Sequence, residues 1–174
     1  MARIPYADCG SEAVRPLAER IVAERGSILH LYQMLLHSPP IAQGWLGYLT
    51  AIRQQSSLPG ALRELIIMRV ALLNKAPYEA QQHAPIALQE GVSQAQLDAL
   101  QEWQQSDVFG EDERAVLAYT DAMTRQVQVP DAVFAAVSAR HAPPQMVEIT
   151  ATVAAYNMVS RFLEALQIHS HDAR

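Results

Sequence analysis

The chain contains one cysteine, Cys9, and one lysine, Lys75. A lone thiol cannot close an intramolecular disulfide or form a Cys-x-x-Cys redox or zinc motif. Positive charge comes almost wholly from scattered arginines, the formal net charge is -5, and no basic run or stripe occurs. Binding to a phosphate backbone needs a basic footprint, so nucleic acid is not an expected partner. No apolar run approaches the ~20 residues that cross a bilayer, so no membrane span is expected. The opening residues, MARIPYADCG, lack the apolar core of a signal peptide, which makes a cytoplasmic protein the simplest expectation. Sustained polar–apolar alternation is missing, as are Asn-Gly and Asp-Gly turns. Strands and hairpins are therefore not expected.

What remains is helical. With 174 residues, half of them hydrophobic, the chain is long enough for one domain with a sizeable core. Val14, Leu17, Ile21 and Val22 recur at helical spacing, and Gly26 is a stop. The next helix covers about Ile28 to Leu36 and ends at Pro39-Pro40; another runs from about Ile41 to Gln55. Pro59 opens a helix to about Asn74, and Pro77 opens one that Gly91 closes. Ser93 and Gln96 predict a capping box for a short helix ending near Trp103. Glu111 to Val127 follows, Pro130 opens the next helix, and Pro143-Pro144 a long last one to about Ile168. Leu58 to Leu72 and Ala142 to Tyr156 each place a Glu five residues after a Pro. That is either a weak internal repeat or a coincidence between amphipathic helices. The expected fold is an all-α, single-domain helical bundle over 1–174, with its core at about 28–168 and a helical extension at 1–27.

A few polar residues sit in apolar surroundings. Glu64 interrupts LRELIIMRVALL, a helix hydrophobic on nearly every side and therefore buried. A carboxylate there needs a partner or a raised pKa, and a salt bridge to an arginine is one solution. In APYEAQQH, Glu79 and His83 are four apart and share a helix face. They read either as a solvated pair or as a carboxylate that orients an imidazole for acid/base work. His30 and His37 are seven apart, but a metal needs further ligands and none lies nearby in sequence, so no metal site is expected. His141 is expected to end a helix, and His169 and His171 lie in a polar C-terminal tail. Tyr156, Asn157 and Arg161 punctuate an apolar stretch from Ala151 to Leu166. Asn157 is a mediocre helix former and so points to a specific bond, and Arg161 is a candidate anion clamp.

These segments together resemble a known family. LRELIIMRVALLNKAPYEAQQHAPIALQEGVS is similar to the core of the carboxymuconolactone decarboxylase and alkyl hydroperoxidase D superfamily. LLHSPPIAQGWLGYL and AAYNMVSRFLEAL resemble the flanks of a branch with Tyr-Glu-Trp before the His. Here Tyr78 and Glu79 match, and Ala80 replaces the Trp. The redox branch carries Glu, Cys-x-x-Cys and His; counted from Glu64, its thiols fall on Ala76 and Glu79, and its His on His83.

The resemblance implies a helical pocket lined by Glu64, Glu79 and His83. Peroxidase chemistry needs a thiolate and a resolving thiol, which Ala76 and Glu79 cannot supply. The expected activity is therefore a cofactor-independent acid/base lyase acting on a small lactone or keto acid. In that reading protonated His83 delivers a proton, Glu79 orients it, and Glu64 is a second acid/base or holds the pair. Tyr78, Tyr156, Asn157 and Arg161, with Arg69 as a further candidate, would contact substrate. The alternatives are a thiol peroxidase relying on Cys9 and a non-catalytic ligand-binding oligomer. A homo-oligomer, trimer or hexamer, is implied by the resemblance.

Overall fold

The computed structural model describes residues 1–172, which form nine α-helices: α1 Arg15–Arg25, α2 His30–Leu35, α3 Pro39–Thr50, α4 Gly60–Leu73, α5 Pro77–Gln89, α6 Gln94–Ala99, α7 Glu111–Gln126, α8 Asp131–Ser138 and α9 Pro143–Leu166. Prolines set several of the starts. Pro39, Pro77 and Pro143 each lie in the first helical turn, where a missing N–H leaves no bond unmade. Pro39-Pro40 thus opens α3 as well as ending α2. The capping box is present: the Ser93 hydroxyl accepts from the Gln96 N–H at 3.1 Å, and the Gln96 side chain accepts from the Ser93 N–H at 2.9 Å. After α6 the chain tightens into a 3₁₀ turn, Leu100–Gln105, kinked at Glu102. After α3 it widens instead, into a π-turn at Ala51–Gln55.

Helix α4 lies at the centre, packed by α5, α7 and α9. Its residues from Leu62 to Ala71 are all buried, as an all-round apolar helix requires. Three charged side chains interrupt that run, Arg63, Glu64 and Arg69, and each is paired; Arg63 meets Glu64 and Glu90. Arg69 is 1% exposed; its Nε and Nη2 donate to the Asp121 carboxylate at 2.6 and 2.8 Å, and its Nη1 donates to the carbonyls of Leu100 and Gln101. Committed to α7 and the 3₁₀ turn, Arg69 is not available to hold a substrate, which corrects that expectation. Glu64 belongs to the site below.

A tight turn joins α4 to α5. Lys75 adopts a left-handed conformation (φ 54), and the Ala76 N–H donates back to the Ala71 carbonyl at 2.9 Å. Asn74 fastens the end of α4 to α9 by donating to Ser160 Oγ at 2.7 Å and Asn157 Oδ1 at 3.0 Å. Asn157 in turn donates to Thr124 Oγ1 at 2.9 Å and so reaches α7. This is the specific bonding that a mid-helix asparagine suggested. Arg161 is exposed and donates to the Asn157 carbonyl and side-chain oxygen.

The N-terminal segment belongs to the same body. Ile21 of α1 is fully buried. Asp172 accepts from the Tyr6 hydroxyl at 2.7 Å, a bond that, with the N-terminal ammonium nearby, holds its carboxyl pKa at about 2. His30 Nε2 bonds the Asp172 carbonyl, and His37 Nε2 the Pro5 carbonyl. No group of three or more His, Cys, Asp or Glu side chains suited to a metal occurs among the described residues. None of the described helices is long and apolar enough to cross a membrane.

Candidate functional site

The packing of α4 on α5 decides which carboxylate meets the imidazole. His83 Nδ1 lies 2.7 Å from Glu64 Oε2, a contact between residues 19 apart in sequence. Glu79, four residues before His83 on the same helix, makes no bond to it. The expectation that Glu79 orients His83 is thus corrected: that position is held by Glu64. The other oxygen of Glu64, Oε1, accepts from Arg63 Nε at 3.3 Å, and Arg63 Nη2 also meets Glu90 Oε1 at 3.0 Å. The wall behind the ring is Tyr156 of α9, which meets the imidazole edge-on with ring centres 5.1 Å apart.

The electrostatics follow from burial and neighbours. Glu64 is 0% exposed; burial pushes its carboxyl up, but the His83 bond and the charges of His83, Arg63 and Arg53 outweigh that and hold it below the ordinary value. It is a carboxylate in the fold. His83 is pulled the other way. Burial pushes its pKa down, the Glu64 bond and charge pull it up, and Arg53 and Arg63 push it down again; the net result is below the ordinary imidazole value. At neutral pH the ring is uncharged, so Nδ1–H donates to Glu64. Nε2 then carries the lone pair, and it has no hydrogen-bond partner among the described residues.

Glu79 is a different kind of group. It is 2% exposed and neither carboxyl oxygen has a hydrogen-bond partner. Burial, and the nearby charge of Glu164, push its pKa well above the ordinary carboxyl value, which favours the neutral form. Glu164 itself is raised by burial. Tyr78 is buried beside Glu79 and packs edge-on to His30. Burial likewise pushes the Tyr156 phenol up, and it stays protonated.

His83 lines a cavity of about 280 Å³ with Arg53, Arg25, Gln54, Gln82 and Glu24. Of the expected site residues only His83 lines it: Asn157, Arg161 and Arg69 do not, and neither do Glu64, Glu79, Tyr78 and Tyr156, so the expected lining by both glutamates is corrected. The structure therefore brings Glu64, His83 and Tyr156 together, sets Glu79 nearby, and places Asn157 and Arg161 in the joint between α4, α7 and α9. The salt bridge to an arginine expected for Glu64 is its contact with Arg63, the adjoining residue in LRELIIM. Arg53 was missed. Arg53 sits in the π-turn, whose register differs from the 3.6-residue period. A larger cavity, about 590 Å³, lies between α8 and α9, but apolar side chains dominate it and its one imidazole, His141, is bonded to Asp112 at 2.8 Å. The smaller one is the cavity that His83 lines. The suggested repeat ends differently in its second copy: Glu148 accepts from the backbone and hydroxyl of Ser57 near the surface, with no imidazole.

The structure matches an alkylhydroperoxidase AhpD core, a peroxidase-related protein from Ralstonia eutropha JMP134, with a TM-score of 0.83 and 18% identity over 98% of this chain and 93% of that one. It also matches the debrominase Bmp8, solved as a cysteine-to-alanine variant in complex with 2,3,4-tribromopyrrole, with a TM-score of 0.81 and 21% identity over 96% of this chain and 92% of that one. These likenesses establish the fold. In sequence, the Carboxymuconolactone decarboxylase family model matches residues 39–122. The Escherichia coli (strain K12) protein YnjA is 27% identical over 126 residues, 72% of this chain, and the match spans 66% of YnjA, just under two thirds of its length. The family match thus covers just under half of the chain, and the structural likenesses extend the same fold over nearly all of it.

Proposed function

We propose that the protein is a cofactor-independent acid/base lyase or isomerase acting on a small lactone or keto acid. The observation that carries this reading is the 2.7 Å bond from Glu64 to His83 Nδ1, which fixes the tautomer and leaves Nε2 for the cavity. In an isomerisation, Nε2 takes a proton from a carbon next to a carbonyl. Glu64 stabilises the imidazolium, which returns the proton at another carbon. In a decarboxylation, the bond to the carboxylate carbon breaks and its electron pair enters an enolate. The imidazolium then supplies the proton that forms the new C–H bond, and an anionic substrate favours that imidazolium on binding. Glu64, rather than Glu79, is the positioning carboxylate; the neutral form of Glu79 keeps a second negative charge away from the ring.

The test is product NMR after incubating the protein with γ-carboxymuconolactone, with His83→Ala alongside. Carbon dioxide loss by the wild type alone supports the lyase reading. Equal turnover by both proteins removes His83 from the mechanism. The thiol-peroxidase alternative has only Cys9 to work with. Cys9 donates to the Ala7 carbonyl on the N-terminal segment and does not line the His83 cavity.

We also infer self-association, as a trimer or hexamer, through the face formed by α8 and α9. Phe134 and Val147 are 48% and 67% exposed beside the apolar cavity there. Light scattering that gives a mass near the 19.2 kDa of one chain would refute it.

A further inference from the structure

Arg53 stands apart from the other arginines near the core. Arg63 is paired with Glu64 and Glu90, Arg69 with Asp121, and Arg25 with Thr50 at 2.6 Å. Arg53 is half-buried and makes no hydrogen bond or ion pair among the described residues. A guanidinium removed from bulk water and left without an acceptor is a receptor for an anion. Its location points the same way. It lines the 280 Å³ cavity with His83, and its positive charge is felt at Glu64, His83 and Tyr156 together.

No carboxylate forms an ion pair with Arg53 among the described residues, although Glu64 is near enough to feel its charge. Glu24 is the one carboxylate on that wall, and it is engaged by Arg20 at 2.8 Å and by the Thr50 hydroxyl at 3.0 Å. Arg25 adds a second guanidinium, 5% exposed, whose Nε is buried without a partner. The π-turn at Ala51–Gln55 is what presents Arg53. Such turns insert one residue into the helical register and recur at functional sites. The volume sets a size limit, because ligand pockets usually run from ~300 to ~1,000 Å³ and this one lies just below that range.

We propose that Arg53 is the anion receptor of this cavity, holding the carboxylate of a small oxo acid or carboxylated lactone while its carbonyl-bearing carbon lies against His83 Nε2. The assignment rests on the acid/base reading of His83 for the second half of that sentence only. Arg53 takes the role that Arg161 and Arg69 were expected to play. It makes the site selective for acids over their neutral esters. Arg53→Lys keeps the charge but loses the fork geometry, so it should retain part of the affinity; Arg53→Met loses it.

The probes are levulinate, a small γ-oxo acid, and its methyl ester. The His83 imidazole resonances are followed by NMR as each is titrated into wild type, Arg53→Met and Arg53→Lys. The expected result is a saturable levulinate-dependent shift in wild type. Affinity should fall at least about tenfold in Arg53→Met and less in Arg53→Lys, the ratio that loss of one charged hydrogen bond produces. The ester should bind no better than levulinate binds Arg53→Met. Equal binding of acid and ester, equal binding by wild type and Arg53→Met, or no saturable shift with levulinate at tens of millimolar each overturns the proposal. The same samples in deuterated water separate the two readings. Exchange at the carbons beside the ketone should need His83, so His83→Ala, added as a fourth protein with levulinate binding followed by calorimetry, binds without exchanging. Arg53-dependent binding with no exchange above buffer leaves the anion receptor standing and removes levulinate-type chemistry from His83.

Discussion

Glu64 and Glu79 stand on packed neighbouring helices and are 0% and 2% exposed, yet the same change, glutamate to glutamine, should affect them with opposite dependence on pH. Glu64 has a folded pKa below its unfolded one. Its contribution is present above the unfolded value and is lost as pH falls through the folded value. Glutamine keeps the shape but removes the charge that accepts from His83 and Arg63. Hydrogen bonds to charged groups contribute ~1.5–3 kcal/mol each, and the amide oxygen preserves a weaker version of one, so a loss of about 2–3 kcal/mol is expected at pH 8. Glu79 has a folded pKa raised by burial and by Glu164. Its contribution is present below the unfolded carboxylate value of 4.5 and is lost as pH rises toward the folded value. Glu79→Gln cannot ionise, so its stability relative to wild type should climb between about pH 5 and about pH 8. The slope, rather than the offset at any one pH, isolates the charge from the amide's own burial. Urea midpoints of the three proteins across that range make the measurement. A Glu79→Gln protein that loses ground as pH rises, or a Glu64→Gln protein as stable as wild type at pH 8, would refute the assignment of charge states.

An isomerisation should show an acid limb lying below the ordinary imidazole value of 6.5, because His83 must be neutral to act first as a base and burial lowers its pKa; a pH–rate profile checks this. Arg69→Ala removes the bidentate partner of buried Asp121, which keeps only its longer contacts to Trp103, Gln104 and Arg125, and should cost ~3 kcal/mol in chemical denaturation, while leaving the KM of any substrate near the wild-type value. Cys9→Ser should leave activity unchanged, and neither protein should consume hydrogen peroxide with a dithiol as reductant. Peroxide turnover lost in Cys9→Ser would return the thiol to the mechanism.

Much of the fold was legible because prolines, glycines and one capping box mark the helix ends. The burial of Glu64 was legible too, since no orientation of LRELIIMRVALL hides its apolar side chains and exposes its acid. The partner of His83 was not. Spacing along one helix favours Glu79, four residues away, but Glu64 arrives from another helix, and its approach depends on how α4 packs on α5. The same holds for Arg69 and Asp121, 52 residues apart. Arg161 looked like a clamp because a charge in an apolar helix suggests a purpose; its guanidinium instead reaches back one turn to Asn157. Arg53 drew no notice at the frayed-looking end of a helix, because nothing in AIRQQSS signals a π-turn.

The turn between α4 and α5 has a practical side. Lys75, held there in a left-handed conformation and exposed, is the only side-chain amine in the protein. A fluorophore coupled through an amine-reactive ester would label that turn and otherwise only the α-amino group. The dye would sit at the hinge of the two helices that carry Glu64 and His83. It would report on any parting of those helices when a ligand enters, without a single introduced cysteine.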